Sequence, residues 1–240
     1  MAMYVVVPFY NEAAGMRATL DALAGQSDPA FTLILVDNAS SDHGADVASE
    51  FARQHPEMMM EVIVEPTKGT GAAADTGFRY AIGRGASHIA RTDADCLPQR
   101  DWVRNLKRAF QDDGLEFVAG KIKPRTDDIP LTRFDRLVIP LLLWVAERFG
   151  RLHRLGRQFR YPYILAAGNN LAITAELYQR AGGFPRTSIE QVHEDRELSE
   201  RVRTLTSRGG VRADVVVANS TRRAKRYGYL RTALWYIAHC

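Results

Sequence analysis

Along the first hundred residues, short apolar runs alternate with longer stretches in which apolar residues recur at helical spacing. Tyr4-Val5-Val6-Val7, Leu33-Ile34-Leu35-Val36, Val62-Ile63-Val64 and Ile89 to Thr92 are short and rich in β-branched residues, and each predicts a buried strand. Between them, residues 12–24 carry Met16, Leu20 and Leu23 on one helical face, and residues 44–54 and 72–83 predict two further helices. This βα alternation predicts an α/β fold with a mostly parallel central sheet and helices on both faces. In such sheets the ligand lies beyond the carboxyl ends of the strands. The polar clusters fall there: Pro8 to Glu12, Asp37 to Asp42, Lys68 to Gly71 and Asp93 to Asp95.

The second half is less regular. The apolar run from Leu137 to Ala146 is shorter than the ~20 residues that span a bilayer, and predicts a buried or interfacial helix. A basic stretch with Arg148, Arg151, Arg154, Arg157 and Arg160 follows, and Val215-Val216-Val217 predicts a late strand. With 240 residues, 46% of them hydrophobic and 25% charged, the chain is an ordinary globular one with enough material for a substantial core. Cys96 and Cys240 make neither a disulfide framework nor a zinc-ligand spacing, so a cytoplasmic home is expected. Met1-Ala2-Met3 lacks a basic leader and Pro8 breaks the first apolar run, so no signal peptide is expected. The net charge of +4 matters through its distribution, since residues 148–160 and 222–231 set Arg and Lys beside Leu, Trp and Tyr. That composition suits the inner face of an anionic membrane, and no nucleic-acid module signature accompanies it.

The chemistry begins at Asp93 and Asp95. In an extended segment these side chains share a face, and two carboxylates so placed repel unless a cation or proton sits between them. Mg²⁺ or Mn²⁺, held by one or two carboxylates and completed by water and a diphosphate, would relieve the repulsion. A solvated turn is the plainer reading of the pair taken alone.

The pair is not alone. Pro8-Phe9-Tyr10-Asn11-Glu12, Val36-Asp37-Asn38-Ala39-Ser40-Ser41-Asp42, Asp93-Ala94-Asp95-Cys96-Leu97-Pro98, Gly182-Gly183-Phe184 and Glu194-Asp195-Arg196-Glu197-Leu198 follow in order. In order and approximate spacing the sequence resembles the family 2 glycosyltransferases, from residue 4 to about 220. The resemblance implies a single A-type glycosyltransferase domain over residues 1–220, a nucleotide-sugar donor, a Mn²⁺ or Mg²⁺ ion and inversion at the anomeric carbon. Within it, a nucleotide-binding half to residue 98 precedes an acceptor-side half, and residues 221–240 form a basic, amphipathic segment.

By the same resemblance, Pro8, Tyr10, Asn11 and Glu12 border the nucleoside and Asp37 faces the base or ribose. Asp93 meets the ribose and the metal, Asp95 is the direct metal ligand and Asp195 is the catalytic base. Glu194 and Asn169 belong to the acceptor and donor-sugar side. Each has a plainer reading: Glu12 in a helix first turn, Asp37 as a turn residue or N-cap, Glu194 and Asp195 against a helix dipole. Gly182 and Gly183 read first as a helix-ending turn.

One segment departs from the family pattern. Its usual Ala-Arg-Asn-x-Gly helix start corresponds here to Ala73-Ala74-Asp75-Thr76-Gly77, so Lys68, Arg222 or Arg223 is expected to supply the missing contact to the donor. The same stretch supports a rival, an NAD-dependent oxidoreductase, because Gly69-Thr70-Gly71-Ala72-Ala73-Ala74 satisfies the dinucleotide fingerprint with Asp93 at a suitable distance. Against it, two βα units precede the fingerprint, which normally occupies the first. A second rival is a basic membrane-surface protein without catalysis. A lipid-linked or cell-envelope glycan acceptor would reconcile the basic stretches with the enzyme.

Overall fold

The computed structural model describes residues 1–129, 132, 138, 141, 158–186, 193–222, 225 and 228. From the N-terminus these form β1 (Met3–Phe9), α1 (Ala13–Ala24), β2 (Thr32–Asp37), α2 (Gly44–Gln54), β3 (Met60–Val64), α3 (Thr70–Gly83) and β4 (His88–Arg91). There follow β5 (Cys96–Pro98), α4 (Trp102–Gln111), β6 (Phe117–Pro124), a 3-10 turn (Gly168–Asn170), β7 (Leu171–Thr174), α5 (Ala175–Arg180), α6 (Glu194–Leu205) and β8 (Gly209–Asn219). The predicted strands and helices of the first hundred residues all form. Their ends differ by a few residues.

One sheet runs in the order β3-β2-β1-β4-β7-β6-β8-β5. Its first four strands are parallel, as the alternation predicts. The second half is mixed: β7 runs against both β4 and β6, β8 runs with β6, and β5 runs against β8. Both faces are covered, and successive side chains choose opposite cores. Val5, Val7, Leu33 and Leu35 pack with Met16 and Leu20 of α1, Phe51 of α2 and Trp102 of α4. Val6, Ile34 and Val36 pack with Phe78 of α3, Tyr178 of α5 and Leu198 of α6. This is why the strands read as continuous apolar runs without alternation. Pro8 is tolerated in β1 because β4 pairs only from Met3 to Val6, so the ladder has ended on that side where Pro has no N–H to give.

The topology gathers one edge. Arg91 lies opposite Leu171 and Cys96 opposite Asn219, so the starts of β7 and β5 and the end of β8 join the carboxyl ends of β1, β2 and β4. Cys96–Pro98 forms a short strand paired with β8. One expectation changes beside it. Asp93 and Asp95 do not sit in an extended segment, for the Cys96 N–H donates to the Asp93 carbonyl at 3.1 Å and closes a turn between them.

Among the described residues no helix is long and apolar enough to cross a membrane. Most of the apolar run 137–146, the arginines at 148, 151, 154 and 157, Arg223, Arg226 and residues 229–240 lie outside the described residues.

Candidate functional site

Three loops at this edge are laced together by short polar side chains. Asp42 serves two helices at once, accepting from the Ala13 N–H at 2.8 Å and from the Gly44 N–H at 3.0 Å. Asn11, held at φ 51°, accepts from the Ser41 N–H at 2.7 Å. Asp37 accepts from the Ser40 N–H at 2.9 Å and is thus a turn residue, not the N-cap of α2. Asn38, which the sequence reading passed over, donates to the Glu65 and Thr67 carbonyls and accepts from the Gly69 N–H at 2.8 Å. Its signal was an amide directly after a strand-end acid. Tyr10 stands exposed beside Lys68, whose Nζ is 5.3 Å from the ring centre and 3.4 Å from the hydroxyl. Pro8, Tyr10, Asn11, Glu12, Asp37 and Lys68 therefore share one mouth.

The acids meet beside it. Burial, then the charges of Asp93 and Glu12, push the Asp95 carboxyl above the usual aspartate range, and Arg222 opposes them. The Arg222 guanidinium bonds the Glu12 carboxylate and stands 3.6 Å from Asp95. Arg125, unanticipated from sequence, donates to the Asp95 carbonyl at 3.0 Å while gripping Asp127 with two N–H groups. Among the described residues no three His, Cys, Asp or Glu side chains form a ready metal cage. Mg²⁺ and Mn²⁺ do not need one, because they keep one or two carboxylates and take the remaining oxygens from water and phosphate. Asp95, crowded by Asp93 and Glu12, fits such a half-site.

Across the edge lies the start of α6. Asp195 accepts from the Gly168 N–H at 2.8 Å and the Arg196 N–H at 2.7 Å. Burial raises its pKa above the ordinary value, although the Gly168 N–H and the Arg91 charge pull the other way. Glu194 and Asp195 also occupy the first turn of the helix, so their plainer reading as dipole partners holds alongside any other. The Asn169 side-chain oxygen is buried with no hydrogen-bond partner among the described residues. Its neighbour Asn170 is spent on structure, donating to the Lys121 and Val215 carbonyls and accepting from the Trp102 ring N–H.

The departing segment faces the protein. Ala74 is fully buried, and Asp75 accepts from the Tyr178 hydroxyl and Arg79 Nε, each at 2.8 Å, and from Arg186. The Tyr178 hydroxyl in turn accepts from the Phe184 N–H, which fixes the turn at Gly182 and Gly183, both at positive φ. The dinucleotide fingerprint has a packing explanation too. A Cβ at Gly71 would come within 2.3 Å of the Pro185 carbonyl oxygen and 3.0 Å of Glu194 Cβ, so chain fills the space a pyrophosphate would need. Of the cations expected to replace the missing arginine, Lys68 stands at Tyr10 and Arg222 at Glu12 and Asp95.

A family model described as glycosyl transferase family 2 matches residues 4–173. The chain is 28% identical over 207 residues to the probable glycosyltransferase YdaM of Bacillus subtilis (strain 168), covering 84% of this chain and 46% of that protein. It is 26% identical over 224 residues to an undecaprenyl-phosphate 4-deoxy-4-formamido-L-arabinose transferase of Serratia proteamaculans (strain 568), covering 90% of this chain and 67% of that one. Its fold is similar to that of the mannosyltransferase PcManGT from Pyrobaculum calidifontis in complex with GDP-Man and Mn²⁺. The TM-score is 0.71 at 22% identity, over 99% of this chain and 62% of the other. The chain thus spans less than two thirds of YdaM and of PcManGT.

Proposed function

The chain belongs to glycosyl transferase family 2, and from that premise we propose that it moves a sugar from a nucleotide-sugar donor to an acceptor hydroxyl, with a divalent ion and with inversion. The observation that carries this reading is the juxtaposition, at one sheet edge, of Asp93 and Asp95 after β4 with Asp195 at the start of α6. Asp95, backed by Asp93, would hold Mn²⁺ or Mg²⁺ against the diphosphate. When bound, such an ion neutralises the charge that appears on the leaving diphosphate. Tyr10, Asn11, Glu12 and Asp37 would border the nucleoside, where a carboxylate accepts from a base N–H or a ribose hydroxyl. Among the described residues Lys68 and Arg222 are the expected cations that would meet phosphate, since Ala74 and Asp75 are buried in protein.

Asp195 would take the proton of the acceptor hydroxyl as its oxygen bonds the anomeric carbon from the face opposite the diphosphate. The bond from that carbon to the diphosphate breaks in the same displacement, and the nucleoside diphosphate leaves with the electron pair. The Asn169 oxygen, without a partner among the described residues, suits a sugar hydroxyl on this side. The likeness to an undecaprenyl-phosphate transferase favours a lipid-linked or cell-envelope acceptor, and with it a site of action at an anionic membrane surface.

Nucleotide release from UDP-, GDP- and dTDP-sugars, with Mn²⁺ and with EDTA, tests the reading. One donor class should be turned over with Mn²⁺ and not with EDTA. Turnover undiminished by EDTA would remove the metal role from Asp95, and no turnover of any donor would remove the reading.

A further inference from the structure

Arg91 ends β4 with its side chain 2% exposed, so its guanidinium depends wholly on protein partners. Two carboxylates from distant segments supply them. Nε and Nη2 each donate to Asp93 Oδ1 at 3.2 Å, and Nη1 donates to Glu194 Oε1 at 3.2 Å. The guanidinium carbon lies 5.4 Å from the centre of the Phe184 ring. Gly168 leaves the room it fills, because a Cβ there would come within 2.8 Å of Cζ and Nη1. That same glycine donates its N–H to Asp195. Residues 91–93, 168 and 194–195 are therefore all indexed on one guanidinium.

We propose that Arg91 is a positioning residue for sugar transfer: it fixes Asp93, on the donor side, against Glu194 and Asp195, on the acceptor side. The inference rests on the glycosyltransferase reading above. A planar fork of N–H donors can hold two carboxylates in one fixed relation, which a lysine ammonium on a flexible stem cannot. Transfer depends steeply on that relation, since a misplacement of about 1 Å costs on the order of 10²-fold. Donor binding should depend on it less, because Tyr10, Glu12, Asp37 and Lys68 share no hydrogen bond or ion pair with Arg91, and only Asp93 ties it to the donor side.

The rival account is that Arg91 merely neutralises buried acids, so that its loss lowers activity by loosening the fold. Four variants separate the two: Arg91→Lys, Arg91→Met, Glu194→Gln and the double Arg91→Met/Glu194→Gln. The double variant removes a carboxylate that Arg91→Met leaves unpaired, and should regain part of the lost Tm. Arg91→Lys should lower kcat by about 10- to 100-fold with donor KM within about threefold of wild type. The double variant should stay about tenfold or more below Glu194→Gln in kcat despite its recovered Tm. Three results would overturn the inference: wild-type kcat in Arg91→Lys, an effect confined to KM, or a double variant equal to Glu194→Gln. A wild type inactive on every donor would fail the glycosyltransferase reading and this inference together, whereas an active wild type beside an unimpaired Arg91→Lys fails the inference alone.

Discussion

At the scale of single residues the proposed mechanism separates binding from chemistry, and Asp195 is where the separation is sharpest. Asp195→Asn keeps the side chain's size and its place at the start of α6 but removes its capacity to take a proton. Transfer should fall by about 10²- to 10⁴-fold, while calorimetry with a nucleoside diphosphate and Mn²⁺ should find donor affinity unchanged. Because burial raises the Asp195 pKa and only the ionised form is a base, wild-type transfer should rise with pH along an acid limb displaced above the ordinary aspartate value. Lost donor binding in the variant would move Asp195 to the donor side. Asp95 and Asp195 could be singled out in the sequence because they stand in two of the five motifs that carry the family resemblance, and the roles proposed for them rest on it. Arg91, Arg125 and Asn38 were not, because a buried cation or amide takes its meaning from partners that only the fold brings near. Arg91 shows this best: its second carboxylate, Glu194, lies on another element at the far end of the chain.

At the scale of elements, the loop after β3 is tied to the loop before α6 through Glu65. Its carboxylate accepts from the Thr67 N–H at 2.7 Å, from the Thr76 hydroxyl and from Arg186 Nη2 at 2.6 Å. Burial alone would raise its pKa, but these donors outweigh it and hold the group at about 2, against 4.5 when free. A folded pKa below the unfolded one gives stability that is present above about pH 4.5 and is lost as the pH falls to about 2. With Glu65 buried but Arg186 42% exposed and so screened by solvent, the contribution is discounted to on the order of 1 kcal/mol. Denaturant unfolding should therefore show Glu65→Gln less stable than wild type at neutral pH, with the gap closing near pH 2. A gap that ignores pH would assign the cost to packing. Elements were legible wherever an unbroken apolar run persisted, as in β1 and β2, or a helical periodicity did, as in α1 and α2. The four residues of β7 and three of β5 are too short to show a period, and their antiparallel partners lie far away in sequence.

At the scale of the whole molecule, β8 carries the late part of the chain back to its beginning, so that Arg222 closes over Glu12 and Asp95. Its guanidinium is a cation that both acids face. On the proposed reading, Mn²⁺ would bring a second cation to the same carboxylates, and the two would compete until a diphosphate that can use both is bound. Arg222→Ala should therefore have effects of opposite sign. In the absence of nucleotide, Glu12 and Asp95 lose the cation between them while Asp93 keeps Arg91, and Mn²⁺ should raise the variant's Tm by more than it raises the wild type's. In the presence of donor, the lost phosphate contact should raise the donor KM by about fivefold, the size of a partly exposed charge pair worth about 1 kcal/mol. Thermal shift with Mn²⁺ alone measures the first effect, and steady-state turnover measures the second. A smaller Mn²⁺ shift in Arg222→Ala would mean that the arginine holds the acids in place for the ion, and the competition would be refuted.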